Sequence, residues 1–141
     1  MATEFKDNSI ASVLTLRHIV FDQITFRRTG FRKRNSETKL DIGKQVEKTG
    51  EGKYQVTLSM RAEREKEYEA EVSVTGYCEI AEDTPGKDRI LNENAIAILF
   101  PYVRAELTLL TAQPETEPLV IPAVNINAML KQTPVQEQKQ D

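Results

Sequence analysis

The side chains that could take part in catalysis are few and far apart in the chain. The only histidine, His18, lies in the apolar stretch SVLTLRHIVFDQITFRR, where a structural role is commoner than a catalytic one. The only cysteine, Cys78, lies in the alternating stretch EYEAEVSVTGYCEI, on the side of the valines, and is expected to be an inert core thiol. No Cys/His spacing indicates a metal site, and no glycine-rich phosphate loop is present. The sequence therefore predicts a protein that is not an enzyme and needs no metal or cofactor.

Charged residues form two local groups. Glutamates occupy every second position from Glu63 to Glu71, which places them on one solvated sheet face rather than in the desolvated setting of a carboxylate active site. This row indicates either a solubilising surface or a docking face for a basic partner. The stretch RRTGFRKR, from Arg27 to Arg34, carries five basic residues in a predicted loop. It is either a solvated loop or a grip for an acidic or nucleic-acid ligand, with Phe31 as its only stacking aromatic.

Composition indicates one globular domain. The 141 residues are 39% apolar and 29% charged, with a net charge of −3, which does not favour a general nucleic-acid binder. No apolar run approaches the roughly 20 residues that span a membrane, and the lone cysteine fits a reducing compartment, so a cytoplasmic protein is expected. The expected organisation is a flexible N-terminus (1–11), a single domain (12–131) and a disordered tail (132–141).

The central part of the chain predicts a sheet. Apolar and polar residues alternate strictly over residues 54–63 and 67–80, which indicates two half-buried strands joined at a charged tip, Arg64–Glu67. TKLDIGKQV predicts a third strand before the turn Gly50–Gly52, and the stretch around His18 predicts a fourth, with a bulge near Asp22 and Gln23 where the alternation slips. The four strands are expected to be mostly antiparallel, with one apolar face.

A helix must cover that face, and AIAILFPYVRAELTLL, residues 95–110, is the candidate. One apolar stripe at helical spacing can cover the sheet: Ile96, Leu99, Phe100, Val103, Leu107 and Leu110. A second stripe beside it predicts contact with another copy of the protein: Ala95, Ile98, Tyr102, Ala105 and Leu109. Pro101 predicts a kink or a split in the helix, unless the helix begins there. The fold class is thus α+β: a four-stranded antiparallel sheet with a long, proline-kinked helix on one face.

Two segments resemble signatures of a known family. LFPYVRAEL (residues 99–107) and AVNINAML (residues 123–130) are similar to the LFPYAREL-type and PVNFDALF-type segments of the SecB preprotein chaperones, and the resemblance covers roughly residues 12–130. It implies a homotetramer, a dimer of dimers whose long helices lie between two sheets. It also implies an ATP-independent chaperone that holds unfolded, export-bound polypeptides in apolar grooves and passes them to the motor ATPase SecA. SecB-like relatives also serve antitoxins of toxin–antitoxin systems.

The resemblance assigns residues to three surfaces. The client-binding groove would contain Phe31, Leu40, Ile42, Leu119, Ile121 and Val124. The oligomer interface would contain Ala70, Val72 and Val74, with Ile98, Tyr102 and Leu109 of the second helix stripe. The face that docks SecA would contain Glu69 and Glu71. However, Gln23 and Arg27 stand where the family has acids, and Arg27 is expected to pair with Glu71 and mask it.

Three functions follow as hypotheses. The first is an ATP-independent holdase for pre-secretory proteins on the way to SecA-dependent translocation. The second is a SecB-like chaperone dedicated to an antitoxin. The third, from another class, is a non-catalytic binding module that uses the basic loop 27–34. For the first two, the expected partners are unfolded polypeptides and copies of the same chain, with SecA added for the first, and no stable nucleic-acid or membrane binding.

Overall fold

The computed structural model describes residues 13–33, 35–123 and 125–132 of the chain. Val124 of the predicted groove and Arg34 of the basic cluster lie outside the described residues. The expected flexible N-terminus and nearly all of the expected disordered tail also lie outside them.

Four antiparallel strands form one sheet, as predicted. They are β1 (Thr15–Arg28), β2 (Thr38–Gly50), β3 (Lys53–Arg64) and β4 (Tyr68–Glu79), in the spatial order β1-β4-β3-β2. The register of β1 on β4 shifts between Phe21 and Gln23, which confirms the bulge expected from the break in alternation. Because β1 and β2 are the two edges, the segment between them must cross from one edge of the sheet to the other.

The helix-facing side of the sheet is the core. The alternating apolar residues of β3 are almost completely buried: Tyr54, Val56, Leu58, Met60 and Ala62. The apolar residues on the same side of β4 are buried to the same degree: Tyr68, Ala70, Val72, Val74 and Cys78. Gly76 lies among them without a side chain, because a Cβ there would meet Leu16 at 2.8 Å and Leu99 at 3.2 Å. The helix therefore packs directly on the central strands.

The helical run over the sheet is unbroken from residue 87 to residue 111. It comprises α1 (Lys87–Arg89), a π-helical turn (Ile90–Asn94) and α2 (Ala95–Thr111), and a short α3 (Ile126–Gln132) follows. Pro101 neither begins nor splits α2, so those two alternatives are wrong, and the kink at Pro101 stays a prediction. Pro101 cannot bond the carbonyl of Ala97, but Ala97 is exposed, so water can hydrate that carbonyl and reduce the cost.

The two stripes of α2 have different surroundings. Of the first stripe, Ile96, Leu99, Phe100, Val103 and Leu107 are buried against the sheet, as predicted, and Leu110 packs beside them. Of the second stripe, Ala95 is buried, whereas Ile98, Tyr102 and Leu109 are exposed large apolar residues.

One part of the expected oligomer interface needs correction. Ala70, Val72 and Val74 lie under α2 in the core of the single chain, with 1%, 0% and 0% of their surface exposed. A second subunit cannot reach them unless the helix leaves the sheet. These three residues stabilise the subunit rather than join subunits.

Val72→Asp should therefore unfold the subunit instead of producing a smaller folded assembly. An unpaired carboxylate would enter an apolar core, at a cost on the order of 4 kcal/mol or more. Circular dichroism during thermal unfolding, combined with size-exclusion chromatography, checks this. Gln45→Asp on the exposed edge of β2 is the control and should keep the native midpoint. A folded Val72→Asp dimer would contradict the burial.

A polar network fixes the start of the helical run to the β2–β3 turn. The carboxylate of Glu82 accepts hydrogen bonds from the Gly52 backbone N–H (2.7 Å), the Tyr54 hydroxyl (2.7 Å) and Lys87 Nζ (2.9 Å). Lys48 Nζ lies 2.9 Å from Glu82 Oε2, the oxygen that also accepts the Gly52 N–H. The Gly52 N–H, followed by Lys87 and the other donors, holds the pKa of Glu82 well below its usual range.

This lowered pKa gives a pH dependence to the free energy of unfolding. A carboxylate whose pKa is depressed in the folded state stabilises above its unfolded pKa, about 4.3 for glutamate, and loses that contribution as pH falls through the folded pKa. Native protein should therefore melt at a higher temperature than Glu82→Gln at pH 7, and the difference should shrink below about pH 4. Differential scanning calorimetry across pH measures it. Asp83→Asn, one position along, should follow the native curve, and a pH-independent difference for Glu82→Gln would refute the charge-based account.

Candidate functional site

Two loops meet at one end of the molecule. We call residues 29–37, between β1 and β2, the crossover loop, and residues 112–123, after α2, the return loop. Arg32 of the crossover loop forms an ion pair with Glu117 of the return loop. Arg28, the last residue of β1, donates hydrogen bonds to the carbonyls of Pro114 (3.1 Å) and Glu115 (3.0 Å). The loops are therefore held together by arginine side chains that extend from the β1 side.

The crossover loop is fixed at its base by the β3–β4 turn. The backbone N–H groups of Thr29 and Gly30 both donate to the carbonyl of Glu67, at 2.9 and 3.2 Å. A Cβ at position 30 would lie 2.1 Å from the Lys66 carbonyl oxygen, so only glycine allows this approach. The Glu67 side chain is buried beside Arg64. Burial raises the pKa of its carboxyl, but Ser36 and Arg64 lower it by more, so this pKa lies below its usual value.

The return loop is fixed to α2 by hydroxyl groups. The Leu119 N–H donates to Thr111 Oγ1 (2.8 Å), and Thr108 Oγ1 donates to the Leu119 carbonyl (2.7 Å). Arg104 donates to the Ile121 carbonyl at 3.4 Å. These bonds turn the side chains of Leu119 and Ile121 toward the core and the side chain between them, Val120, away from it.

The predicted groove residues divide into exposed and buried ones. Phe31 is 75% exposed, and Leu40 and Leu119 are partly buried against the core. Ile42 and Ile121 are only 7% and 5% exposed, so the expectation that they line an open groove is wrong for this conformation. Val120 is not among the predicted groove residues, but it is 72% exposed.

The cations of the basic cluster are largely engaged within the molecule. Arg27 lies 3.4 Å from Glu69, Arg28 holds the return loop, and Arg32 pairs with Glu117. Lys33 lines two open polar clefts, of about 580 and 750 Å³. The first is lined by three basic and three acidic residues, and the second by three basic and two acidic residues. The described part of the cluster therefore does not present a continuous cationic surface.

The acidic sheet face is partly neutralised by arginines. Glu69 lies between Arg27, at 3.4 Å, and Arg61, at 3.3 Å. Arg27 thus pairs with Glu69 rather than with Glu71, which corrects the expected pairing. Among the described residues, no ion pair within 4.0 Å includes Glu71. Of the two predicted docking acids, only Glu71 is therefore without a neighbouring cation in ion-pair contact.

Cys78 and His18 are the two residues that the sequence offered as possible catalytic groups. Cys78 is buried, and the loss of hydration raises the pKa of its thiol to about 11. His18 is exposed on β1 and contacts Tyr77 edge-on, with ring centroids 6.3 Å apart. Within residues 13–33, 35–123 and 125–132, no three His, Cys, Asp or Glu side chains are grouped to hold a metal ion. None of the helices in those ranges is long and apolar enough to cross a membrane.

Besides the two loops, an apolar surface lies where α2 meets the edge strand β1. Phe21 of β1 and Pro101, Tyr102 and Ala105 of α2 line a shallow, mainly apolar depression of about 310 Å³. Val20 and Ile24 are exposed on the same edge strand. The exposed stripe of α2 and the edge of β1 are thus continuous through Phe21.

One family model matches most of the chain. The model of the family described as preprotein translocase subunit SecB matches residues 9–138. The chain belongs to the SecB family. The match extends across the crossover loop, the sheet, α2 and the return loop, so this SecB-family chain carries both candidate surfaces within the family region.

Two individual proteins are similar to this SecB-family chain. An uncharacterized protein of Methanocaldococcus jannaschii is 40% identical over 60 residues, which are 42% of this chain and 39% of that protein. The match thus spans about two fifths of the relative's length. In fold, the chain is similar to the Mycobacterium tuberculosis SecB-like chaperone Rv1957, solved in complex with a ChAD peptide from the HigA1 antitoxin Rv1956. The TM-score is 0.67 with 15% identity, covering 83% of this chain and 95% of that one.

Proposed function

We propose that the protein is an ATP-independent holdase that binds unfolded polypeptide segments at the crossover and return loops. The observation that carries the proposal is the exposure of Phe31 and Val120, the two most exposed large apolar residues among those described. Each lies in a loop whose backbone is bonded to the rest of the fold. Exposed apolar residues on ordered loops favour a binding surface, since a solvated connection has no need of them.

Family membership and the solved neighbour support this proposal. The fold matches that of a SecB-like chaperone bound to an antitoxin peptide, and a peptide is the kind of ligand that two apolar loops can bind. Client side chains buried on Phe31 and Val120 would stabilise the complex through removal of apolar surface from water, without sequence-specific hydrogen bonds.

We further propose a dedicated client, such as an antitoxin, in preference to preprotein delivery to SecA. Arg27 and Arg61 neutralise Glu69, which leaves Glu71 as the acid available for docking on that face. An acidic docking face attracts a basic partner through its net charge, and two arginines beside one glutamate cancel that attraction. A cytoplasmic location accords with either client.

The rival binding module has less support. Arg27, Arg28 and Arg32 contact acidic or carbonyl groups of the same chain, so a phosphate would have to compete with these contacts. Replacing Lys33, another described cation of the basic loop, tests whether the loop is the binding site.

We also propose that subunits associate through the exposed face of α2 and the adjoining edge of β1, with a homotetramer as the complete assembly. The two edges of the sheet differ. On β2, Lys44 and Lys48 stand on the helix-facing side opposite Leu58 and Tyr54, a common protection against strand pairing. On β1, Phe21 and Ile24 occupy that side, so the β1 edge favours self-association.

Replacing both exposed loop residues, Phe31→Ser with Val120→Ser, should weaken client binding without unfolding the protein. A fully buried side chain of this kind contributes about 1.5–3 kcal/mol, so the Kd for a reduced, alkylated protein that cannot refold should rise at least about tenfold. Fluorescence anisotropy gives the Kd, and light scattering by an aggregating client gives the holding activity, both without nucleotide.

Two variants serve as controls for this result. Leu119→Ser with Ile121→Ser should lower the thermal midpoint, because these side chains pack in or against the core. Lys33→Ser should leave client binding nearly unchanged. If Lys33→Ser abolishes binding and the Phe31/Val120 variant does not, the basic-loop module replaces the holdase.

The assembly is tested with Tyr102→Asp combined with Leu109→Asp. Both side chains are exposed in the single chain, so the subunit should stay folded while carboxylates disrupt an apolar interface. Sedimentation equilibrium at micromolar concentration should give four times the 16.0 kDa subunit mass for native protein and a smaller mass for the variant. The Gln45→Asp control should keep the native mass. A native protein that sediments as a monomer would exclude the assembly.

A further inference from the structure

Phe31 and Val120 each lie between two residues whose backbone or side chain is bonded to other parts of the fold. The residue on each side of Phe31 is tied to other parts of the fold: the Gly30 carbonyl accepts a hydrogen bond from Arg28 at 3.0 Å, and Arg32 pairs with Glu117. Val120 likewise lies between Leu119 and Ile121, whose backbone groups bond α2. The backbone of each exposed residue is thus held on both sides while its side chain faces solvent.

One guanidinium connects the two loops. Arg28 Nη1 donates to the carbonyls of Gly30 and Glu115, both at 3.0 Å. Its Nη2 donates to the Pro114 carbonyl at 3.1 Å and to the Thr116 hydroxyl. A carbonyl of the crossover loop and three acceptors of the return loop therefore share one planar group, whose donors point in fixed directions.

The guanidinium itself is held by an aromatic stack. Arg28 lies over the ring of Phe26, 5.7 Å from its centroid, and Phe26 stacks on the buried Tyr68 at 5.2 Å. Tyr68 is the register partner of Arg28 on β4. The sheet core thus supports the guanidinium through Phe26, and the guanidinium bonds both loops.

We propose that Arg28 is a positioning residue for client binding, which sets the crossover loop and the return loop in one arrangement and so offers Phe31 and Val120 to the client together. This inference rests on the proposed holdase function. Loops that are already ordered lose little conformational freedom on binding, whereas loops that must first be ordered bind only from a fraction of their conformations. Arg28 is not expected to contact the client.

Arg28→Lys tests the proposal, because it keeps the charge and loses the planar fork. We expect the Kd for a reduced, alkylated client to rise about tenfold, since several loop contacts depend on the fork. Arg89→Lys is the matched control: Arg89 makes an exposed ion pair with Glu93, away from both loops, and its replacement should leave the Kd unchanged. Thr116→Val removes one acceptor from the other side of the contact and should raise the Kd by a smaller factor.

A distance measurement separates positioning from direct contact. Spin labels at Lys33→Cys and Pro118→Cys, both exposed, report the separation of the loops, while the buried Cys78 stays unlabelled. Labelled subunits are diluted into unlabelled ones so that each particle carries one pair. The distance distribution should be narrow in the otherwise native protein, broad in Arg28→Lys, and narrow again when client is added.

The outcomes distinguish a failure of the holdase function from a failure of the positioning role of Arg28. If native protein does not bind the client, the holdase function fails and the positioning role fails with it. If native protein binds and Arg28→Lys binds within about twofold of it, or if the distance distribution stays narrow, the positioning role alone is overturned. Should Arg28→Lys prove unfolded, Thr116→Val decides by the same two measurements.

Discussion

The burial of one sheet face under a single helix is the constraint on which the other features depend. The chain provides four strands and one long helix, and the first stripe of α2 covers the apolar side of β3 and β4. What the helix cannot cover stays exposed: Ile98, Tyr102 and Leu109 of its own second stripe, and the apolar side of the edge strand β1 at Phe21 and Ile24. The position of α2 also decides where the return loop begins, and the strand order makes the crossover loop run from one edge to the other.

Short-range patterns were sufficient to predict the sheet and its cover. Strict alternation in β3 and β4 reflects which side chains face the core, and the slip at Asp22 reflects the bulge on β1. The helix stripe from Ile96 to Leu107 was predictable for the same reason, because helical spacing alone determines a shared face. The path of α2 through Pro101 was not, because the sequence does not show whether the residue four positions earlier, Ala97, is exposed to water.

The candidate site was harder to predict because its geometry depends on contacts between distant residues. In the extended segment 119–121, neighbouring side chains must face opposite sides, but the sequence does not show which side is the core. The bonds from Thr108 and Thr111 decide it, and they place Val120 outward and Ile121 inward. Likewise, the interface role assigned to Val72 and Val74 by family resemblance failed because α2 already covers them.

The basic cluster shows how the same residues have a different meaning in the sequence and in the fold. In the sequence, the cations around Phe31 resemble a surface that grips anions. In the fold, Arg27 is paired with Glu69 and Arg32 with Glu117, while Arg28 donates its hydrogen bonds to backbone carbonyls. A charge whose donors are already engaged adds order to a loop and little attraction for a distant anion, because a new partner would have to replace existing bonds. Phe31 is therefore the large apolar side chain that the loop presents to solvent, beside cations that are largely engaged within the molecule. A surface of this kind selects for exposed apolar segments, and unfolded polypeptides carry such segments irrespective of their sequence.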